Sequence, residues 1–456
     1  MIALPVIAIF DIGKTNKKFF LIDEAYNIVM EKSKTFIEIK DEDGDPCEDI
    51  SVLTNWVIKI FTKILQLENF DVKAVNFSAY GASLVYVDDK GKVIAPLYNY
   101  LKIYPEKLKD ALYEKYGGEE KISCETASPV LGSLNSGLQL YRMMIEKPGI
   151  FKKIKYALHL PQYLSFVITR QMVSDITSLG SHTQLWDFKR NDYHTWVKES
   201  GLEKKLAPLI PSGQTTSITF YKKKLKAGVG LHDSSAALIP YLITFKEPFV
   251  LISTGTWCIS LNPFNNLSLT KEELKKDCLC YMEYNGKAVK AARLFAGQHH
   301  EIQIKTLSKH FNKPAGFYKK IKYSSRLISS LQDLNILEKK FTEKNDNNFL
   351  HVSKKRELNI FKNYEEAYHC LMYDIMQQQF VSTQLILNGS SVNRIFVDGG
   401  FGNNSVYMHL LAIAFPHMQV CAASVAQATA IGAALAIHNS WNSFSVPGDL
   451  VKLTYY

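Results

Sequence analysis

The sequence predicts an α/β protein built as two similar domains that face each other across a cleft. Three observations lead there. The chain of 456 residues is too long for a single hydrophobic core. A strand that runs into a polar, glycine-containing turn and back into a strand opens each half, at residues 5–22 and 248–261. Between these copies lies Gly228-Val-Gly-Leu-His-Asp-Ser-Ser-Ala-Ala-Leu-Ile-Pro, with Asp233 at its centre.

Composition narrows the class. Hydrophobic residues make up 46% and charged residues 21%, the balance of an ordinary globular protein. No apolar run is long enough to span a membrane. The N-terminus has no basic leader and runs straight into a motif, so it reads as mature sequence of a cytoplasmic protein. Seven scattered cysteines, of which only Cys278 and Cys280 lie close, fit reduced thiols. The net charge of +10 comes from short groups such as Lys152-Lys153, Lys222-Lys223-Lys224, Lys319-Lys320 and Lys354-Lys355. None is interleaved with aromatics, which favours a solvated surface over a nucleic-acid partner. A homodimer is compatible with this composition, which cannot separate interface from core.

Along the chain, Pro5-Val-Ile-Ala-Ile-Phe is a strand that delivers the turn Asp11-Ile-Gly-Lys-Thr-Asn, and Phe19-Phe-Leu-Ile returns. Residues 32–49 are charged and read as a surface loop. Residues 53–67 have helical spacing. Residues 72–87 read as a strand pair turning through Ser78-Ala-Tyr-Gly-Ala-Ser, small residues of the kind that line sites at strand ends. From 98 to 200 helices alternate with loops, holding Asn135-Ser-Gly-Leu-Gln and the run from Asp175 to Asp187. The domain boundary falls near Thr244, giving domains 1–243 and 244–456. Residues 338–356 read as a loop insertion and residues 364–387 as a long helix. Arg394-Ile-Phe-Val-Asp-Gly-Gly-Phe-Gly-Asn-Asn is strand into glycine turn, and Ser424 with Gln427 reads as a capping box before the last helix.

These turns suggest chemistry. Asp233, amid small residues at or near a helix N-terminus, is kept ionised by free N–H groups and the helix dipole, as a base for a hydroxyl must be. An N-cap aspartate without function is the alternative. Asp-x-Gly-x-Thr at a strand end offers N–H groups, a hydroxyl and a carboxylate for phosphates and Mg²⁺, with Lys14, Lys17 and Lys18 adding positive charge. Ser253-Thr-Gly-Thr can cradle phosphate from the other side. Asp398-Gly-Gly-Phe-Gly lets adenosine approach bare backbone with Phe401 alongside.

On these motifs, together with Ala428-Thr-Ala-Ile-Gly-Ala-Ala, the chain resembles the FGGY carbohydrate kinases over its whole length. The resemblance implies two actin-like (ribonuclease-H-like) ATPase domains facing across a catalytic cleft, with ATP and Mg²⁺ as cofactors and a small-molecule sugar as partner. His232-Asp-Ser-Ser and Thr15-Asn look most like the rhamnulokinase and fuculokinase branch, which acts on 6-deoxy-ketohexoses. It implies Asp233 as catalytic base and Asp11 as the Mg²⁺ residue. Gly13, Lys14, Thr15, Asn16, Thr254, Gly255 and Thr256 would face the phosphates. Gly297, Gln298, Gly399, Gly400, Phe401, Asn403 and Asn404 would line the rest of the ATP site. Tyr80, Gly81, Ala82, Ser83, Asn135, Gln139 and His232 would read the sugar. Two departures stand out: Lys18 replaces a common arginine, and Tyr98-Asn-Tyr-Leu-Lys stands where relatives often carry Tyr-Arg-Asp, which leaves the sugar open. The rival classes are an actin-like ATPase of chaperone or filament type, which positions water instead of a sugar, and a sugar sensor without turnover.

Overall fold

The computed structural model describes residues 3–342 and 356–456. The stretch 343–355, which carries Asn345-Asp-Asn-Asn and Lys354-Lys355 and most of the expected insertion, lies outside the described residues.

The β-branched and aromatic run at the start forms β1 (Leu4–Ile12), which turns into antiparallel β2 (Lys17–Asp23) and β3 (Ile28–Lys34). Helix α1 (Ile50–Leu65) follows, capped by Asp49, whose carboxylate accepts from the N–H groups of Ser51 and Val52. It buries Leu53, Val57, Phe61 and Ile64, one face at helical spacing. Strand β4 (Phe70–Ala79) then lies parallel to β1. After a long excursion the chain returns as β5 (Thr215–Phe220), β6 (Lys223–Gly228) and β7 (Leu231–His232), and enters helix α2 (Asp233–Thr244). The order across this sheet is β5-β6-β4-β1-β2-β3, with β7 also on β4.

The second half repeats the plan. Strands β8 (Val250–Thr254) and β9 (Cys258–Asn262) form the first antiparallel pair, extended by β10 (Cys278–Met282) and β11 (Ala288–Leu294). Helices α3 (Ala296–His310) and α4 (Tyr364–Leu387) lead to β12 (Arg394–Gly399), parallel to β8. Helix α5 (Ser405–Ala414), β13 (Gln419–Ser424), helix α6 (Ala428–Ala436) and β14 (Lys452–Tyr455) complete it, with sheet order β10-β11-β9-β8-β12-β13-β14. In both sheets an antiparallel hairpin opens the domain, and the next central strand joins its first strand in parallel. The two similar domains that the duplicated hairpin predicted are thus present, in the actin-like arrangement that the resemblance implied.

Four expectations are corrected. Residues 72–87 are not a strand pair: β4 belongs to the main sheet, whereas Leu84–Val87 pairs with Tyr156–His159. Residues 32–49 are not simply a solvated loop. Asp41 is buried, and the Lys102 ammonium lies 2.5, 2.7 and 3.1 Å from the carboxylates of Asp41, Asp43 and Asp45. The capping box is absent, because Gln427 adopts a left-handed φ of 52° without a side-chain cap and accepts from Lys18 Nζ at 3.1 Å instead. Helix α1 begins three residues earlier than its apolar spacing suggests, where Asp49 caps it. All seven cysteines are free thiols.

Helices α2 and α6 join the domains, and one apolar core includes Ile7, Ile9 and Phe20 from one side and Leu251, Phe396 and Ala433 from the other. Pro240 lies inside α2 and has no N–H, so the Ala236 carbonyl lacks its donor four residues on. Gly432 of α6 lies against that oxygen. A Cβ there would stand 1.8 Å from it, whereas a glycine Cα–H can approach as a weak donor. Gly432→Ala is therefore expected to lower stability by about 1–3 kcal/mol through overpacking against rigid backbone. Thermal and urea unfolding measure it.

Candidate active site

Burial of the apolar strand β1 carries Asp11 to the sheet's end, where the turn Gly13–Asn16 closes with Gly13 N–H donating to the Asn16 carbonyl at 3.0 Å. Thr15 and Asn16 are exposed. The three lysines do not present free charge. Lys14 pairs with Glu38 at 2.7 Å and Lys17 turns inward against Glu48 at 2.5 Å. Lys18, cross-strand from Asp11, reaches Gln427 across the domain gap. The sequence could not show the inward turn, since Glu48 is distant in the chain and its other oxygen accepts from Tyr80 Oη at 2.6 Å.

Asp233 is the first helical residue of α2, and His232 occupies the N-cap position without a side-chain cap bond, so the aspartate is not a cap. Oδ1 takes every protein contact of this carboxylate among the described residues. Ser234 donates from N–H at 2.7 Å and from Oγ at 3.3 Å, and His232 Nε2 lies at 3.2 Å. Oδ2 has no protein hydrogen bond among the described residues, and about a third of the side chain (34%) stays exposed. Burial nonetheless pushes the carboxyl up to about 6, outweighing the Ser234 bonds. The expectation that the helix end alone sets its charge is thus corrected: desolvation dominates. The result is a group mostly ionised at neutral pH and basic enough to take a proton.

Asp11 is pushed up to about 7, first by burial and then by Asp233, against the pull of Lys18. The two carboxylates therefore sit close enough to repel. No protein hydrogen bond reaches the Asp11 carboxylate among the described residues, so two hard oxygen ligands lie within electrostatic reach of each other. That donor chemistry fits Mg²⁺.

The turn after β4 brings Gly81 against the imidazole of His232. A Cβ at Gly81 would meet that ring at 2.9 Å, so only glycine fits. Ala82 has a left-handed φ of 65°, and Tyr80, Ala82 and Ser83 are buried. His232 is buried, its pKa pushed down to about 3, so the ring is neutral: Nε2 hydrogen-bonds to Ser181 Oγ at 3.1 Å and lies 3.2 Å from Asp233 Oδ1. Two expected residues are tied into the framework, Gln139 through its amide nitrogen only, its Oε1 staying buried without a hydrogen-bond partner among the described residues. Asn135 accepts from Leu131 N–H and donates to the His182 carbonyl at 2.7 Å, and Gln139 donates to the carbonyls of Ala82 and Ser133.

Residues missed by sequence reasoning surround this point. Tyr100 lies edge-on to Tyr80 at 5.9 Å, its hydroxyl pushed up by burial and by Asp233. Tyr281, from β10 of the second domain, stacks on His232 at 5.6 Å. Trp257 is 38% exposed in the turn after β8, against Phe295 at 4.6 Å and under Arg293 at 5.3 Å. The motif Ser253-Thr-Gly-Thr-Trp contained that signal in its last residue.

The second domain holds a cavity of about 790 Å³, within the range of small-molecule sites. Thr254, Gly255, Gly297, Gly400, Phe401, Asn403 and Asn404 line it, as do His300, Tyr318 and Lys322, which were not foreseen. Three turns meet here by close backbone approach. A Cβ at Gly297 would strike the Gly255 carbonyl at 1.8 Å, and one at Gly399 the Thr254 carbonyl at 2.0 Å. Gly400 is open, with nothing within 4 Å of a Cβ. Two of these lining side chains are also held by the framework. Phe401 turns inward to stack on Tyr407 at 4.7 Å, and Asn404 caps α5 through the N–H groups of Val406 and Tyr407. Thr254 Oγ likewise ties its turn to the Asp398 carbonyl at 2.6 Å. Thr256, Gln298 and Gly399 do not line this cavity; Gln298 N–H donates to the Thr256 carbonyl. A smaller cavity of about 180 Å³, lined by Asp233, Ser234, Ser253 and Asp398, opens between the domains.

Comparison with known proteins agrees with this geometry. Residues 6–238 match the model for the FGGY family of carbohydrate kinases, N-terminal domain, and residues 246–333 that for carbohydrate kinase FGGY, C-terminal domain. A rhamnulokinase from Halalkalibacterium halodurans is 23% identical over 265 residues, 54% of this chain and 52% of that protein. The match thus spans about half the length of that curated relative. The crystal structure of a carbohydrate kinase from Novosphingobium aromaticivorans superposes with a TM-score of 0.81 at 22% identity, covering 99% of this chain and 94% of that one. A ligand-bound xylulose kinase from Lactobacillus acidophilus gives 0.77 at 13% identity, with 99% and 93% covered. With the first domain matched from end to end and the second matched in part, on a fold that both solved kinases share, the chain belongs to the FGGY family of carbohydrate kinases.

Proposed function

We propose that the protein is an ATP-dependent ketose kinase that transfers the γ-phosphoryl group of ATP to a primary hydroxyl, and that its substrate is a 6-deoxy-ketohexose such as L-rhamnulose or L-fuculose, phosphorylated at the 1-hydroxyl. The observation that carries the reading is Asp233: Ser234 holds its Oδ1, while the carboxylate stays a third exposed and lines the cavity between the domains. The hydroxyl gives its proton to Oδ2 as its oxygen bonds to the γ-phosphorus, and the bond to the ADP oxygen breaks. Positioning and electrostatics supply most of the rate in such transfers.

In this reading the exposed turn Thr15–Asn16 and the open backbone of Gly400 hold the nucleotide, whose adenosine enters the 790 Å³ cavity. Asp11 would hold Mg²⁺, which when bound spreads the charge of the transferring phosphoryl group. In this reading Gly81 and the rings of Tyr100 and His232 form the sugar wall, with Tyr80 buried behind Tyr100. Trp257 covers the sugar from the other domain. The likeness to a rhamnulokinase supports the 6-deoxy substrate; the likeness to a xylulose kinase supports only ketose chemistry.

A coupled ADP-release assay over a panel of ketoses and polyols tests the proposal. Unpaired buried polar groups penalise a wrong sugar, so one 6-deoxy-ketohexose is expected to lead in kcat/KM by ~10²-fold or more. Leadership by xylulose, ribulose or glycerol rejects the substrate. ADP release that no sugar stimulates rejects the kinase in favour of a water-directed ATPase.

A further inference from the structure

We infer that Asp175 and Thr177 are positioning residues that hold the catalytic aspartate in register from behind, through the backbone of His232; the inference rests on reading Asp233 as the base. Asp175 and Thr177 are both fully buried and neither reaches the cleft. Asp175 Oδ1 accepts from Thr177 N–H at 2.9 Å and from the Thr177 hydroxyl, and Oδ2 accepts from the Ser212 hydroxyl. A threonine hydroxyl has one hydrogen, and here it is committed to Asp175. Its oxygen is thereby fixed as an acceptor, and the His232 N–H donates to it at 3.0 Å. His232 directly precedes Asp233, at the strand-to-helix junction where no side chain caps α2.

The same short segment grips the other side of His232. Ser181 Oγ lies 3.1 Å from Nε2, the nitrogen that also faces Asp233 Oδ1 at 3.2 Å. Gly180 allows this by packing on Met282, where a Cβ would stand 2.1 Å from Cγ, and the Met282 carbonyl in turn accepts from Ser235 Oγ at 2.8 Å. The segment from Asp175 to Ser181 is a bracket around His232–Asp233. A carboxylate kept so deep in the fold costs stability. It is explained if its task is to lock one hydroxyl orientation rather than to strengthen packing.

The test compares Thr177→Val, which keeps the shape and loses the hydroxyl, with Thr177→Ser, which keeps the hydroxyl. Thr177→Val is expected to lower kcat by ~10–100-fold with sugar KM nearly unchanged, as a small misplacement of a reacting group does, and Thr177→Ser to restore most of it. Independently of activity, hydrogen–deuterium exchange should quicken in the peptide 229–236 of the valine variant and not of the serine variant. Asp175→Ala, which removes the acceptor that orients the Thr177 hydroxyl, is the second variant and should lower kcat in the same sense. Wild-type kcat and wild-type exchange in these variants overturn the inference. Absence of sugar-stimulated ADP release in the wild type defeats the kinase reading instead, and the exchange result still decides the bracket.

Discussion

Asp233→Asn is expected to abolish turnover, lowering kcat by ~10²–10⁴-fold while ATP binding and the unfolding transition stay close to wild type. The amide keeps the shape and can still accept from Ser234 N–H, so the entrance to α2 survives. It cannot take a proton from a hydroxyl. The pH dependence gives a second reading of the same residue. The carboxyl is pushed up to about 6, and the base must be ionised, so activity is lost as pH falls through about 6. A variant that keeps most of its kcat, or a wild-type acid limb well below pH 5, removes Asp233 from the mechanism.

Asp11→Asn is expected to separate activity from stability. Loss of the carboxylate proposed to hold Mg²⁺ should reduce kcat by ~10²–10³-fold, the scale of removing one electrostatic stabiliser. The same change should raise the stability of the protein measured without nucleotide or divalent cation. Burial and Asp233 push Asp11 up to about 7, so the native state holds a proton that the unfolded chain has lost between roughly pH 4 and 7. The native state therefore loses stability as pH rises through that window and is most penalised above it. Removing the charge relieves the penalty, by roughly 1–3 kcal/mol after allowance for water in the open cleft. The gain should vanish below pH 4, where the wild-type carboxyl is neutral in both states. An asparagine variant less stable than wild type at pH 8 contradicts this account of the pair.

The architecture was legible because it rests on local pattern. Alternating and β-branched apolar runs define strands, and the repeated hairpin at 5–22 and 248–261 announced the duplication that the two sheet orders confirm. The glycines were legible for a similar reason. Gly81, Gly297, Gly399 and Gly400 stand where another residue would collide with a neighbour or close an open surface, and such demands leave their mark in one letter.

Partners distant in the chain were not legible. Lys17 was expected to face phosphate, and only the fold brings Glu48 beside it and Tyr80 onto the same carboxylate. Asn135 and Gln139 carry the right chemistry for a sugar, and only the fold shows that their amide nitrogens donate to the carbonyls of His182 and Ala82. Gln427 looked like half of a capping box, but Lys18 claims its amide from the other domain. Tyr281 reaches His232 only because β10 and α2 meet at the domain interface.

The acid–base character of the site was likewise decided in three dimensions. A carboxylate's basicity depends on how much water it loses and which charges it faces, and neither quantity is local. The motifs around Asp11 and Asp233 named both residues from the chain alone. Burial raised both carboxyls, and the approach of strand β1 to helix α2 raised Asp11 further, because a folded cleft sets charges from separate segments within reach of each other.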